Sequence, residues 1–66
     1  MTVLNIKELR KSAGLTQIQL GQQVGVGQAS VSEWEAGTQM PRVELLPTLA
    51  RVLGVTIDKL FISETA

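Results

Sequence analysis

Apolar residues recur along the chain at intervals of three and four, in short runs, and glycines punctuate them: Gly14, Gly25, Gly37 and Gly54 each close one. A glycine there makes the cheapest left-handed helix cap, so the spacing predicts about five short helices. In the first run Ile6, Leu9 and Ala13 share a face, with Lys7, Glu8 and Lys11 on the others. Asn5 followed by Glu8 is compatible with a capping box, and a start at Thr2 is the alternative. The second run has the clearest start: Thr16 with Gln19 three residues later forms a capping box, and Leu15 can staple onto Leu20. This helix is expected from Gln17 to Val24, stopped by Gly25. Gly27 then stands where Ser, Thr, Asn or Asp usually caps the next helix. The third helix is expected from Gln28 to about Ala36, with Val31 and Trp34 inward and Gln28, Ala29, Ser32, Glu33 and Ala36 outward.

A polar connection, Thr38 to Arg42, leads to a fourth helix carrying Leu45, Leu46, Leu49, Ala50, Val52 and Leu53. Pro47 fits only its first turn, so the regular part should begin near Leu45 or Leu46, with Val43 and Glu44 as a looser lead-in. Thr56 can cap a last helix from Ile57 to about Ile62, with Asp58 near the positive end of its dipole. Leu60 and Phe61 are expected in the core, and Ser63 to Ala66 are expected to fray. Strand-like alternation is weak throughout. The class expected is therefore all-α, with one domain over residues 1–66.

Composition narrows the function. Sixty-six residues support one core and no second. The chain has no Cys and no His, which removes disulfides, thiolate metal sites, the common zinc constellations and the Ser-His and Cys-His catalytic arrangements. The carboxylates Glu44, Asp58 and Glu64 have no spacing that pairs them, so neither an enzyme nor a bound metal or cofactor is expected, and no small-molecule ligand is evident. Apolar runs fall far short of the roughly 20 residues that span a bilayer, and MTVLNIKELR carries no signal pattern. A cytoplasmic protein without a membrane partner is expected. Six basic and six acidic side chains give zero net charge, which weighs against a nucleic-acid partner.

The spacing between Gln17 and Ala36 carries more information than that total. Leu20, Val24, Val26, Val31 and Trp34 are combined with a small residue, Gly21, and a turn glycine, Gly25. Two helices that cross steeply over a short turn need this set: the turn glycine relieves backbone strain and the small residue permits close approach. The pattern is a helix-turn-helix at about 17–36.

With those residues in place, the chain resembles the Cro and CI-type phage repressor domains and their bacterial regulator relatives, a lambda-repressor-like group. The likeness covers Ile6 to Phe61, and its most specific parts are LTQ at Leu15 to Gln17, GV at Gly25 and Val26, SEWEAG at Ser32 to Gly37, and LARVLGV at Leu49 to Val55. The resemblance implies a five-helix DNA-binding domain whose third helix enters the major groove, usually as a homodimer on two half-sites. It implies that Gln17 binds a phosphate and braces a recognition glutamine, here Gln28, whose amide can read adenine. Ala29, Ser32 and Glu33 would face the groove beside it: Ala29 can touch a thymine methyl, and Glu33 can accept from cytosine or simply repel DNA. Gln39 and Arg42 match the region that often tracks the DNA backbone, although the loop can equally be solvated; Thr16 is mainly a cap, and a hydroxyl at a helix N-terminus can also contact phosphate. Arg10 and Glu35 match an internal salt bridge, and Ile57 and Ile62 offer apolar surface for a dimer. Trp34, inward with Val31, is a core anchor rather than a base-stacking side chain. Lys7, Lys11, Arg51 and Lys59 are most simply solvated helix faces.

The function expected is a sequence-specific transcriptional regulator that occupies operator DNA, a repressor in its simplest form. The alternative is a protein-interaction or antitoxin-like module with the same fold and weak DNA affinity, favoured by Glu33 on the outer face and by the missing basic patch.

Overall fold

A computed structural model describes residues 2–63, with side chains over 4–61. In chain order it comprises a strand β1 (Thr2–Leu4) and four α-helices: α1 (Ile6–Ser12), α2 (Gln17–Val24), α3 (Gln28–Ala36) and α4 (Leu46–Leu53). Two 3-10 turns, Val43–Leu45 and Ile57–Leu60, flank α4, and a second strand, β2 (Phe61–Ser63), follows. The helical class stands, with two corrections near the ends.

The first correction concerns the expected fifth helix. Its start is occupied by a 3-10 turn, and at Phe61 the backbone becomes extended (φ −115°, ψ 144°). From there it pairs antiparallel with β1, in the register Thr2↔Ser63, Val3↔Ile62, Leu4↔Phe61. The pairing satisfies backbone groups that a further helical turn would otherwise have satisfied. The turn keeps Leu60 fully buried and Phe61 packed on the core. Thr56 makes no side-chain cap there. Asp58 is nonetheless held below the ordinary aspartate range by the Thr56 hydroxyl and by its own backbone amide. Of Ser63 to Ala66, expected to fray, Ser63 instead pairs with Thr2 as the last residue of β2, and residues 64–66 lie outside the described ones.

The second correction concerns the start of α1. Neither a helix from Thr2 nor a side-chain cap from Asn5 is present. The Asn5 amide donates to the Leu60 carbonyl at 2.7 Å, so the ribbon fixes the point where α1 begins. Ala13 lies beyond the last turn and is exposed, while Ile6 is fully buried.

The middle of the chain follows local signals. Thr16 and Gln19 make the reciprocal capping box: the Gln19 amide donates to Thr16 Oγ1 at 3.0 Å and the Thr16 amide to Gln19 Oε1 at 2.8 Å. Gly25 turns the chain with φ 84°, a region open to glycine, and its amide donates to the Gly21 carbonyl. Gly21 is required for a different reason. A Cβ there would lie 2.7 Å from the Val26 carbonyl oxygen, so the absent side chain is what lets the turn fold back onto α2. α4 has Pro47 in its first turn and segregates its apolar residues most sharply, burying Leu49, Ala50 and Leu53. These join Ile6, Leu20, Val24, Val31, Trp34 and Leu60 in one core cluster.

Candidate nucleic-acid interface

α2 and α3 pack on each other across the Gly25 turn, and α3 is held from beneath by only two buried side chains, Val31 and Trp34. Its outer face is open: Gln28, Ala29, Ser32, Glu33 and Ala36 are all exposed. Gly27 precedes α3 in an extended conformation and makes no side-chain cap, leaving the amides of the first turn without a side-chain acceptor from that position.

The exposed amide of Gln28 is not isolated. Its Nε2 donates to Gln17 Oε1 at 3.3 Å, and Gln17 Nε2 donates to Glu35 Oε1 at 3.0 Å. Glu35 is also paired with Arg10, whose Nε donates to Oε2 at 2.6 Å and whose Nη2 donates to Oε1 at 3.3 Å. Arg10 Nη1 donates to the Leu15 carbonyl at 2.8 Å, which ties α1 to the residue before the α2 cap. The two side chains retain 11% and 6% of their exposure, so the pair is largely withdrawn from water. Burial pushes the Glu35 carboxyl up. Hydrogen bonds from Arg10 and Gln17, with the positive charges of Arg10 and Lys7, outweigh it and leave the carboxyl below the ordinary glutamate value. The bond to Glu35 raises Arg10 in turn.

The bond between Gln17 and Glu35 is the feature that sequence reasoning missed. Its sequence signal is only partial: Gln28 and Glu35, seven residues apart, share one face of α3, whereas the start of α2 comes to lie across both only in the fold.

The connection after α3 is pinned to the same helix. The amides of Thr38 and Gln39 donate to the Glu33 carbonyl at 3.1 and 3.4 Å. Pro41 is buried, while Gln39 and Arg42 are exposed. Gln39, Pro41 and Arg42 line an open groove against Ser30, Glu33 and Trp34 on α3. Gln39 and Arg42 thus stand at one edge of the exposed α3 face, while Thr16 and Gln17 begin the neighbouring helix. Ile57 opens the last 3-10 turn and is 44% exposed, and the side chain of Ile62 lies outside the described ones. Among the described residues no helix is long and apolar enough to cross a membrane.

Comparison with known proteins gives a consistent family. The family described as helix-turn-helix matches residues 6–60. The HTH-type transcriptional activator BcrR of Enterococcus faecalis is 37% identical over 59 residues, covering 89% of this chain and 29% of BcrR. The cryptic phage CTXphi transcriptional repressor RstR of Vibrio cholerae is 36% identical over 55 residues, covering 83% of this chain and 50% of RstR. Among solved structures, the P22 c2 repressor protein in complex with a synthetic operator superposes with a TM-score of 0.78 at 34% identity, covering 83% of each chain. This chain therefore spans half or less of the length of BcrR and RstR.

Proposed function

Since this chain belongs to the helix-turn-helix family, we propose that it is a sequence-specific DNA-binding transcriptional regulator, working in the cytoplasm as a homodimer that represses by occupying an operator. The observation that carries the reading is the presentation of Gln28: an exposed amide at the first residue of α3, braced from behind by Gln17. α3 lies in the major groove. Gln28 reads adenine there, accepting from the N6 amino group and donating to N7, while Ala29, Ser32 and Glu33 face the neighbouring base pairs. The role is binding, not catalysis.

Donor bookkeeping supports a backbone role for Gln17. Its Nε2 carries two hydrogens, of which Glu35 takes one. The second is free for a phosphate, joined by the Thr16 hydroxyl at the start of α2 and by Gln39 and Arg42 across the α3 face. Arg10 is spent on Glu35, and α3 has no Lys or Arg. Arg42 is then the one basic side chain assigned to the backbone, two per dimer, and the logarithm of affinity should fall with that of salt with a slope of about −2. Ile57 and Ile62 are the candidates for the dimer contact.

The second reading, a protein-interaction or antitoxin-like module, is favoured by the exposed Glu33 carboxylate on the same face. Selection from random duplexes at low salt separates the two. The regulator reading expects an enriched palindrome with half-sites one helical turn apart. No enrichment, with the protein folded, puts the interaction reading ahead.

A further inference from the structure

The side chains leading to Gln28 form a donor–acceptor chain whose sense is set at its buried end. The Arg10 guanidinium has only donors to offer, and an ionised carboxylate has only acceptors. Glu35, held ionised by its partners, therefore requires Gln17 to turn its Nε2 toward it, and the bond is 3.0 Å. That leaves the Gln17 carbonyl facing α3. Gln28 must then turn its own Nε2 inward, at 3.3 Å. The two ends of a glutamine amide have nearly the same shape, so packing alone does not choose between them. The charge two turns further along α3 does choose.

We propose that Glu35 is a specificity-determining positioning residue: acting through Gln17, it fixes which way the Gln28 amide faces, and so the order of donor and acceptor that α3 offers to a base. The proposal rests on base reading by Gln28 as set out above. Glu35 itself, with 6% of its side chain exposed and Gln17 in front of it, does not touch DNA. With one Gln28 hydrogen committed to Gln17, the other hydrogen and the free carbonyl lone pairs present one donor and one acceptor, the pair that adenine N7 and N6 require.

The substitution Glu35→Gln keeps the outline and reverses the sense. The new carbonyl oxygen at position 35 stays with Arg10, and the new amide nitrogen points at Gln17, which must present its oxygen. Gln17 then offers nitrogen to Gln28, whose oxygen turns inward. Arg10→Met is the contrasting variant, because it breaks the ion pair and leaves the carboxylate against Gln17. Gln17→Leu cuts the chain while keeping the ion pair.

Two measurements at neutral pH decide the matter. In the free protein, side-chain amide resonances of Gln17 and Gln28 should move in Glu35→Gln and stay near their original positions in Arg10→Met. On the selected operator, wild type should prefer adenine at the position read by Gln28 about tenfold over its replacements. Glu35→Gln and Gln17→Leu should lose that preference, and Arg10→Met should keep it despite lower stability. A purely structural Glu35 gives the reverse: both ion-pair variants lose stability and all three keep the preference. Retained preference in folded Glu35→Gln overturns the proposal; if that variant does not fold, retained preference in Gln17→Leu does so. A wild type whose adenine preference is absent, or survives Gln28→Ala, overturns base reading itself. In that case the resonances still report whether the amide orientation follows Glu35, and unmoved resonances overturn that too.

Discussion

α3 and α4 are nearly the same length and are built on opposite plans. α4 sorts its residues sharply, with Leu49, Ala50 and Leu53 buried and Arg51 turned to water. α3 is less sorted: Val31 and Trp34 are its only buried apolar anchors, Glu35 is held by its polar partners, and Gln28, Ala29, Ser32, Glu33 and Ala36 are exposed. Hydrophobic burial therefore decides where α4 sits. The position of α3 depends more on its neighbours: the Gly25 turn, the Thr16 cap and the chain of hydrogen bonds from Arg10 to Gln28. A helix held mainly by its ends and one buried edge leaves a broad face free for a partner.

Substitutions can separate the two plans. Leu49→Ala removes a fully buried side chain from the core and should lower unfolding free energy by about 2–5 kcal/mol in a denaturant titration. For a domain this small that approaches its whole stability. Gly21→Ala acts on the turn that carries α3. The added methyl meets the Val26 backbone oxygen at 2.7 Å, and the turn must open, at about 1–3 kcal/mol with altered amide shifts across 25–28.

The ion pair gives a graded test. Arg10→Met strands the Glu35 carboxylate and should cost about 2–3 kcal/mol, somewhat less than loss of a fully buried pair. Acid should show the same contribution with a definite sign. Glu35 is held below its unfolded value, so its stabilisation is complete above the unfolded glutamate pKa of about 4.3 and is lost as pH falls through the lower folded value. Wild type should accordingly lose stability faster than Glu35→Gln as pH drops through that window. Parallel curves would mean that the pair contributes nothing. Gln28→Ala is the smallest change of all in stability, expected within about 0.5 kcal/mol in the same titration, because the side chain is exposed. If it destabilises as Leu49→Ala does, Gln28 does not stand on an open face and the role proposed for it fails.

The same contrast explains what could be read from the chain. Helix ends made by neighbours in sequence were legible: the Thr16–Gln19 box and the Gly25 stop place α2, and Pro47 places the start of α4 after a 3-10 lead-in. The ribbon was not, because three-residue strands show no periodicity and Thr2 meets Ser63 only once the core has formed. Thr56 and Asp58 signal a helical start in the same way whether one 3-10 turn or several α turns follow, and pairing with Leu4 decides the outcome at Phe61. In the site, the family resemblance pointed to Gln17 beside Gln28 and Arg10 beside Glu35. The bond that joins the two pairs depends on how α2 crosses α3, and spacing within one helix does not contain that angle.

The most direct measurement is a two-by-two comparison of affinity: wild type and Gln28→Ala, each against the selected operator and against the operator with its Gln28-dependent adenine replaced. Wild type should lose about tenfold on base replacement, and Gln28→Ala should bind both duplexes alike. Equal losses for the two proteins would contradict reading by Gln28 and, with it, the central role given to α3.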